Sequence, residues 1–249
     1  MLTLEEACLD TTPRLAAITD RLEPGELLGV IGPNGAGKST LISLLSGYRA
    51  PSRGRVLFDG VALADHDPAA LARRRALVAQ TEAPAFDWRV SEFLGLGGGT
   101  SEGIARAIRA LELEAFEARG IGGLSGGERQ RVMIARALCQ LDALEGGEAL
   151  ARLLLLDEPN SALDIGHQQR LMRLLQRLAR ERGMGVVCVL HDLNLAATYC
   201  DRLWLLRDGA RVASGSPREV FANGGIADVF DVELEISLCD ERPRLRLRR

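Results

Sequence analysis

Residues 32–39 read Gly-Pro-Asn-Gly-Ala-Gly-Lys-Ser, the spacing G-x-x-x-x-G-K-S/T. Glycines so spaced let the backbone wrap with its N–H groups inward. The N-terminus of a following helix adds partial positive charge, so the segment suits a chain of phosphates. Lys38 is the only lysine among 31 basic residues; the rest are arginine. An ammonium is a compact point charge, whereas a guanidinium is a wide planar fork. Position 38 therefore calls for an ammonium, placed to reach the β- and γ-phosphates of a nucleotide. The Ser39 hydroxyl suits Mg²⁺, a hard cation that prefers oxygen. Gly32, Pro33, Asn34, Gly35, Ala36, Gly37 and Thr40 complete the expected cradle. A plain strand-to-helix turn would also use glycine, but it would not require the lysine.

A second chemical cluster lies at 153–159, LLLLDEP. Four leucines imply a central strand covered on both faces. A carboxylate at the end of such a strand sits at the ligand-binding edge of a parallel sheet, which puts Asp157 in place to hold Mg²⁺ directly or through water. In an extended chain the next side chain, Glu158, points the other way. That leaves it free to polarise a water in line with the γ-phosphate.

The elements that must position these groups are readable from the pattern. Leu27–Ile31 is strand-like, Leu41–Leu45 resumes with helical spacing, and strand–loop–helix is the context the phosphate loop needs. Residues 1–79 and about 146–225 alternate strand and helix. Between them, RVSEFLGL, SEGIARAIRALELEAF and GERQRVMIARALCQL read as helices, the first two parted by a flexible glycine-rich break. Of the 249 residues 47% are apolar and 26% charged, enough for a sizeable core and unlike a disordered chain. The net charge of −3 argues against nucleic acid as partner. No apolar run is long enough to span a membrane, and MLTLEEACLD lacks the basic and apolar regions of a signal peptide. The five cysteines form no CxxC pair and read as buried small residues in a reducing compartment. His66 and His167 read as surface or loop residues, and Trp204 as buried on a late strand. The alternating end, RPRLRLRR, reads as an edge strand or a frayed end, or else as a basic patch for lipid headgroups.

Leu124–Gln130, LSGGERQ, resembles the signature motif of the ATP-binding cassette (ABC) superfamily. The other motifs of that family follow its order: Gln80 resembles the Q-loop glutamine, Ser161–Asp164 the D-loop, and His191 the switch histidine. The likeness spans about residues 20–225. It implies an α/β P-loop NTPase core with a mostly parallel sheet, an antiparallel β portion and an inserted helical subdomain. A single ABC ATPase domain would fill 1–225, with core 1–80 and 146–225 and helical subdomain 81–145, followed by a tail at 226–249. The resemblance implies ATP and Mg²⁺ as ligands, with Ser39, Asp157 and Gln80 around the metal. Glu158 would activate water and His191 would contact the γ-phosphate. Ser125, Gly126 and Gly127 lead into a helix whose N-terminus is a second anion site. In the family that site, with Asp164, faces the nucleotide of a second copy, implying a homodimer that closes on ATP.

Within the superfamily there is no tandem cassette, coiled-coil insertion, membrane helix or large regulatory extension in this sequence. A stand-alone transporter ATPase is expected, at the cytoplasmic face of the inner membrane. It would work with two polytopic permease subunits and, indirectly, a periplasmic substrate-binding protein. SGYRAPSRGRVLFDG, APAFDWRVSEFLGLG and LHDLNLAATYCDRLWLL resemble ATPases of metal-chelate importers, ranked cobalamin, then haem, then ferric siderophore. Residues 81–97 match the permease-docking surface, with Phe86, Trp88 and Phe93 serving there or in the helical core. Residues 1–47 hold no aromatic to stack on adenine. An aliphatic or arginine contact such as Arg14 is left, and weaker selection of the base is expected. A nucleotide-gated regulatory module without transport is the alternative of another class; the full set Gln80, Glu158 and His191 disfavours it.

Overall fold

The computed structural model describes residues 1–80, 86–142, 151–222, 225–239 and 242–248. The expected subdomain boundaries at 81 and 145–146 lie outside the described residues, as do residues 81–85 of the expected docking surface.

The chain opens with an antiparallel pair, β1 (Leu2–Leu9) and β2 (Leu15–Leu22). β3 (Leu27–Ile31) follows, buried along its whole length, and feeds α1 (Lys38–Leu45). β4 (Arg53–Phe58) and β5 (Val61–Ala62) return to the first pair, giving a four-stranded sheet in the order β2-β1-β4-β5. α2 (Pro68–Ala72) then leads to β6 (Arg75–Val78).

Three helices come next: α3 (Val90–Gly95), α4 (Ser101–Ala110) and α5 (Gly126–Asp142). Then follow β7 (Leu153–Leu156), α6 (Ile165–Arg182), β8 (Gly185–Val189), α7 (Leu193–Tyr199), β9 (Arg202–Arg207) and β10 (Ala210–Gly215). The larger sheet has the order β10-β9-β3-β8-β7-β6. Every pairing from β9 to β6 is parallel, and β10 is antiparallel at the edge.

The four leucines of β7 explain the layering. All four are buried. Leu153 and Leu155 join α1 and the four-stranded sheet in one core, while Leu154 and Leu156 join α5 and α6 in the other. Successive strand side chains face opposite ways, so a continuous apolar run is what a sheet covered on both sides needs. Trp204 is buried on β9, as expected. Cys8, Cys139, Cys188 and Cys200 are buried free thiols; Cys239 is only half-buried.

Two expectations about these elements need correction. The segment SEGIARAIRALELEAF is not one helix: α4 stops at Ala110 because Glu112 turns left-handed (φ 53°), which lets Leu111 and Leu113 both enter the core. The glycine-rich break before it is a packed connection. A Cβ at Gly97 would lie 2.9 Å from the Arg136 carbonyl oxygen of α5, so only glycine lets the two backbones approach.

The tail takes the edge-strand alternative, in a two-stranded sheet of its own. After α8 (Pro217–Ala222) and α9 (Gly225–Phe230), β11 (Leu234–Cys239) and β12 (Arg242–Leu247) form their own antiparallel hairpin. The Leu245 N–H donates to Asn194 Oδ1 at 2.8 Å, and the Arg242 guanidinium donates to the Cys200 carbonyl at 2.9 Å. These bonds dock the hairpin on α7, a long-range arrangement that alternation alone does not reveal.

A polar knot ties the two sheets together. Arg202, at the start of β9, donates to Asp20 of β2 at 2.7 Å and to Glu26 at 2.6 Å. Arg211 of β10 also pairs with Asp20, and both guanidinium groups lie over the Trp204 ring. Burial pushes the Asp20 carboxyl up, but the hydrogen bond from Arg202 and the two positive charges outweigh it and hold it below the ordinary aspartate range. Removing Arg202 would take the guanidinium from Glu26 and leave Asp20 with the one guanidinium of Arg211. Arg202→Ala should therefore lower stability by about 2–4 kcal/mol, read from urea unfolding. Because a depressed carboxyl contributes only while ionised, the deficit should shrink as pH falls through the ordinary aspartate range and below.

Candidate nucleotide site

Four parallel strands deliver the site. β3 ends in the glycine loop, β8 ends just before His191, β7 just before Asp157 and Glu158, and β6 just before Gln80. Since β8 lies between β3 and β7, the histidine arrives between the phosphate loop and the carboxylates. A cleft of about 680 Å³ results, lined by Asn34, Gly35, Gly37, Lys38, Ser39, Thr40, Gln80, Glu158, His191 and Pro13.

The loop has the geometry that phosphates require. Gly37 stands left-handed (φ 97°) before α1 and makes no side-chain cap. The first-turn N–H groups of α1 therefore remain donors for an anion. Lys38 is 5% exposed, and its ammonium donates to the Gly32 carbonyl at 2.9 Å and the Pro33 carbonyl at 3.0 Å. Burial lowers its proton affinity, opposed by the charges of Glu158 and Asp157.

Asp157 is buried beside this loop. Desolvation pushes its carboxyl above the ordinary aspartate range, against a hydrogen bond from Ser39, and the neighbouring Glu158 adds to the rise. Its Oδ1 is buried and has no hydrogen-bond partner among the described residues. A hard cation between the Ser39 hydroxyl and this carboxylate would satisfy that orphan oxygen, so the donors fit Mg²⁺.

Glu158 departs from the extended conformation expected for it. Its φ is 54°, a left-handed value uncommon outside glycine. The hydroxyl and N–H of Ser161 both donate to the Glu158 carbonyl, at 3.1 and 3.3 Å, and hold the turn. Divergence from Asp157 thus comes from a sharp bend rather than from strand alternation. The bend brings Glu158 Oε2 to 2.7 Å from Gln80 Nε2 and Oε1 to 2.5 Å from His191 Nε2. Strain of this kind clusters at functional sites.

Other expected site residues lie elsewhere on the same chain. Ser125 and Gly126 are exposed, and Ser125 shares a capping box with Glu128 (2.7 and 3.3 Å). A Cβ at Gly127 would meet the Ala162 carbonyl oxygen at 2.8 Å, so the signature packs on the D-loop. Asp164 caps α6, accepting from the His167 N–H at 2.8 Å. None of these four lines the cleft. His167 is on that helix rather than in a loop, and His66 is half-buried on the Phe58 carbonyl at 3.0 Å. Of the three docking candidates, Phe93 belongs to the core at 5% exposure, Trp88 is half-buried, and Phe86 is 72% exposed. Pro13, missed in the sequence, stands in the cleft next to exposed Arg14, and no motif marks it.

The ABC transporter family profile matches residues 15–161. The hemin import ATP-binding protein HmuV of Rhodopseudomonas palustris is 46% identical over 231 residues, covering 89% of this chain and 85% of the relative. The chain belongs to the ABC transporter family. Its HmuV relative from Pseudomonas fluorescens is 42% identical over 236 residues, covering 92% of this chain and 91% of that one. Among solved structures, the ATP-binding subunit of an ABC transporter aligns with a TM-score of 0.77 and 27% identity, over 91% of this chain and 94% of that chain. An inward-facing transporter described as of metal-chelate type aligns with a TM-score of 0.79 and 25% identity, over 100% of this chain and 97% of that one. Membership makes this chain an ATPase that binds ATP and Mg²⁺ and couples hydrolysis to transport. The ranking of cobalamin first finds no support among these relatives, which carry the name of hemin import.

The buried fit of Lys38 tests the cleft directly. Lys38→Arg keeps the charge but widens the head group within a pocket already closed by two carbonyls. It should fold normally by circular dichroism and lose at least about tenfold in ATP affinity, since one or two misplaced charge-assisted bonds cost this much.

Proposed function

We propose that this chain is the ATP-hydrolysing subunit of a haem importer, peripheral on the cytoplasmic face of the inner membrane. The observation that carries the reading is the meeting of four strand ends around Lys38, Asp157 and Glu158, joined to relatives named for hemin import at 42–46% identity. Two copies would work with two polytopic permease subunits and, through them, a periplasmic substrate-binding protein.

In this reading the loop N–H groups from Gly32 to Thr40 and the Lys38 ammonium take the phosphates. Lys38 gives up its carbonyl partners to do so. Mg²⁺, held by Ser39 and Asp157 with Gln80, would neutralise charge between the β- and γ-phosphates. Glu158 accepts the proton of the attacking water once Gln80 and His191 release its oxygens. His191 then turns to the γ-phosphate. The exposed signature, Ser125 to Gly127, and Asp164 act on the nucleotide of the second copy. The half-site in one chain supports this, because these residues stand apart from its own cleft. No helix among the described residues is long and apolar enough to cross a membrane, which fits a peripheral subunit needing separate permeases. The edge-to-face pair of exposed Phe86 and half-buried Trp88 (6.4 Å) is the proposed permease contact, and Phe93 supports it from the core.

Three measurements test the reading. In proteoliposomes with its permeases, the wild-type chain should drive ATP-dependent haem uptake. Glu158→Gln should retain ATP and trap closed dimers while turnover falls by about a hundredfold or more, since loss of a positioned base costs this much; near-normal turnover would refute the base. Trp88→Asp should abolish co-purification with the permease and leave ATP affinity unchanged, and normal co-purification would refute the contact.

A further inference from the structure

Two edge hairpins of the fold carry the same turn. Asp59–Gly60 joins β4 to β5 and Asp208–Gly209 joins β9 to β10, each as a two-residue loop. In both, aspartate and glycine have positive φ: 51° and 80° in the first, 50° and 74° in the second. This is the I′ conformation that Asp-Gly favours for a tight hairpin. Their surroundings differ. A Cβ at Gly60 would meet nothing within 4 Å, whereas a Cβ at Gly209 would lie 2.4 Å from the Arg14 carbonyl oxygen.

Gly209 also bridges two parts of the nucleotide cleft. Its N–H donates to the Ala36 carbonyl of the phosphate loop at 3.0 Å, and its carbonyl accepts from the Ala16 N–H at 2.7 Å. A Cβ at Gly37 would come within 3.3 Å of the Gly209 Cα, so the loop rests on this turn. On the other side, Ala16 starts two residues after Arg14 and three after Pro13, which lines the cleft. We infer that Gly209 is a positioning residue for nucleotide: its bare backbone sets the spacing between the phosphate loop and the Pro13–Arg14 segment. Backbone carbonyls cannot swing aside as side chains do, so any side chain at 209 must shift one wall of the cleft against the other.

The inference rests on the cleft being the ATP site, and the duplicate turn supplies its control. Gly60→Ala strains the same turn type in open space; Gly209→Ala adds the collision with Arg14. Both purified full-length variants would be titrated with a fluorescent ADP analogue and Mg²⁺, with melting temperatures recorded. Gly209→Ala should lose about tenfold in affinity, as small displacements of binding groups do, while Gly60→Ala keeps wild-type affinity at a similar melting temperature. Wild-type affinity in Gly209→Ala, or an equal loss in Gly60→Ala, would overturn the inference. Failure of the wild-type chain to bind would instead refute the site itself. Should Gly209→Ala not fold, hydrogen exchange of the wild-type chain decides. ADP with Mg²⁺ should slow exchange across 206–211 and leave 57–62 unchanged; protection confined to the phosphate loop would overturn the inference.

Discussion

A buried ammonium beside two buried carboxylates is the constraint on which the site depends. Lys38, Asp157 and Glu158 are all at most 9% exposed, and burying charge is costly unless each group finds a partner. The fold supplies partners at every point. Lys38 rests on two loop carbonyls, and Glu158 holds Gln80 and His191. Only Asp157 Oδ1 remains without one among the described residues, and it is the atom that a divalent cation would take. The carbonyl partners of Lys38 are acceptors that phosphate oxygens could replace, and the Gln80 and His191 donors on Glu158 could turn to a nucleotide instead. Each proposed phosphate contact would then trade one satisfied arrangement for another, which is how a ligand biases two states of a protein.

The sheet makes this possible by topology. With β8 between β3 and β7, the phosphate loop and the carboxylates stand one strand apart. His191 fills the gap. The β9–β10 edge then braces the loop from behind, and the Arg202–Asp20–Glu26 knot fixes that edge to the antiparallel sheet.

Most of this was legible in the residues. Leu27–Ile31, the glycine loop and the leucines of 153–156 each carry a local pattern whose period or spacing allows one reading. The lone lysine marked its own position. What sequence could not give was conformation and long-range contact. The left-handed turn at Glu158 has no residue signature, because it depends on the bonds that Ser161 makes to the carbonyl. The strand pair β11–β12 alternates as edge strands do, but its seat on α7 is a contact that no periodicity reveals. Phe93 and Phe86 are alike as residue types and opposite in burial. Glycines 97 and 99 read as flexible when they permit close packing, since composition does not distinguish the two uses.

One copy of the chain presents a phosphate cradle and, apart from it, a signature exposed at Ser125 and Gly126. The account proposes that these halves complete one another between two copies. Specific ATPase activity of the purified chain, followed from nanomolar to high micromolar protein with saturating Mg²⁺ and ATP, tests that most directly. The account predicts activity per copy that climbs with concentration and then levels as dimers fill. Activity per copy that stays constant over the whole range, with the chain monomeric throughout, would contradict it.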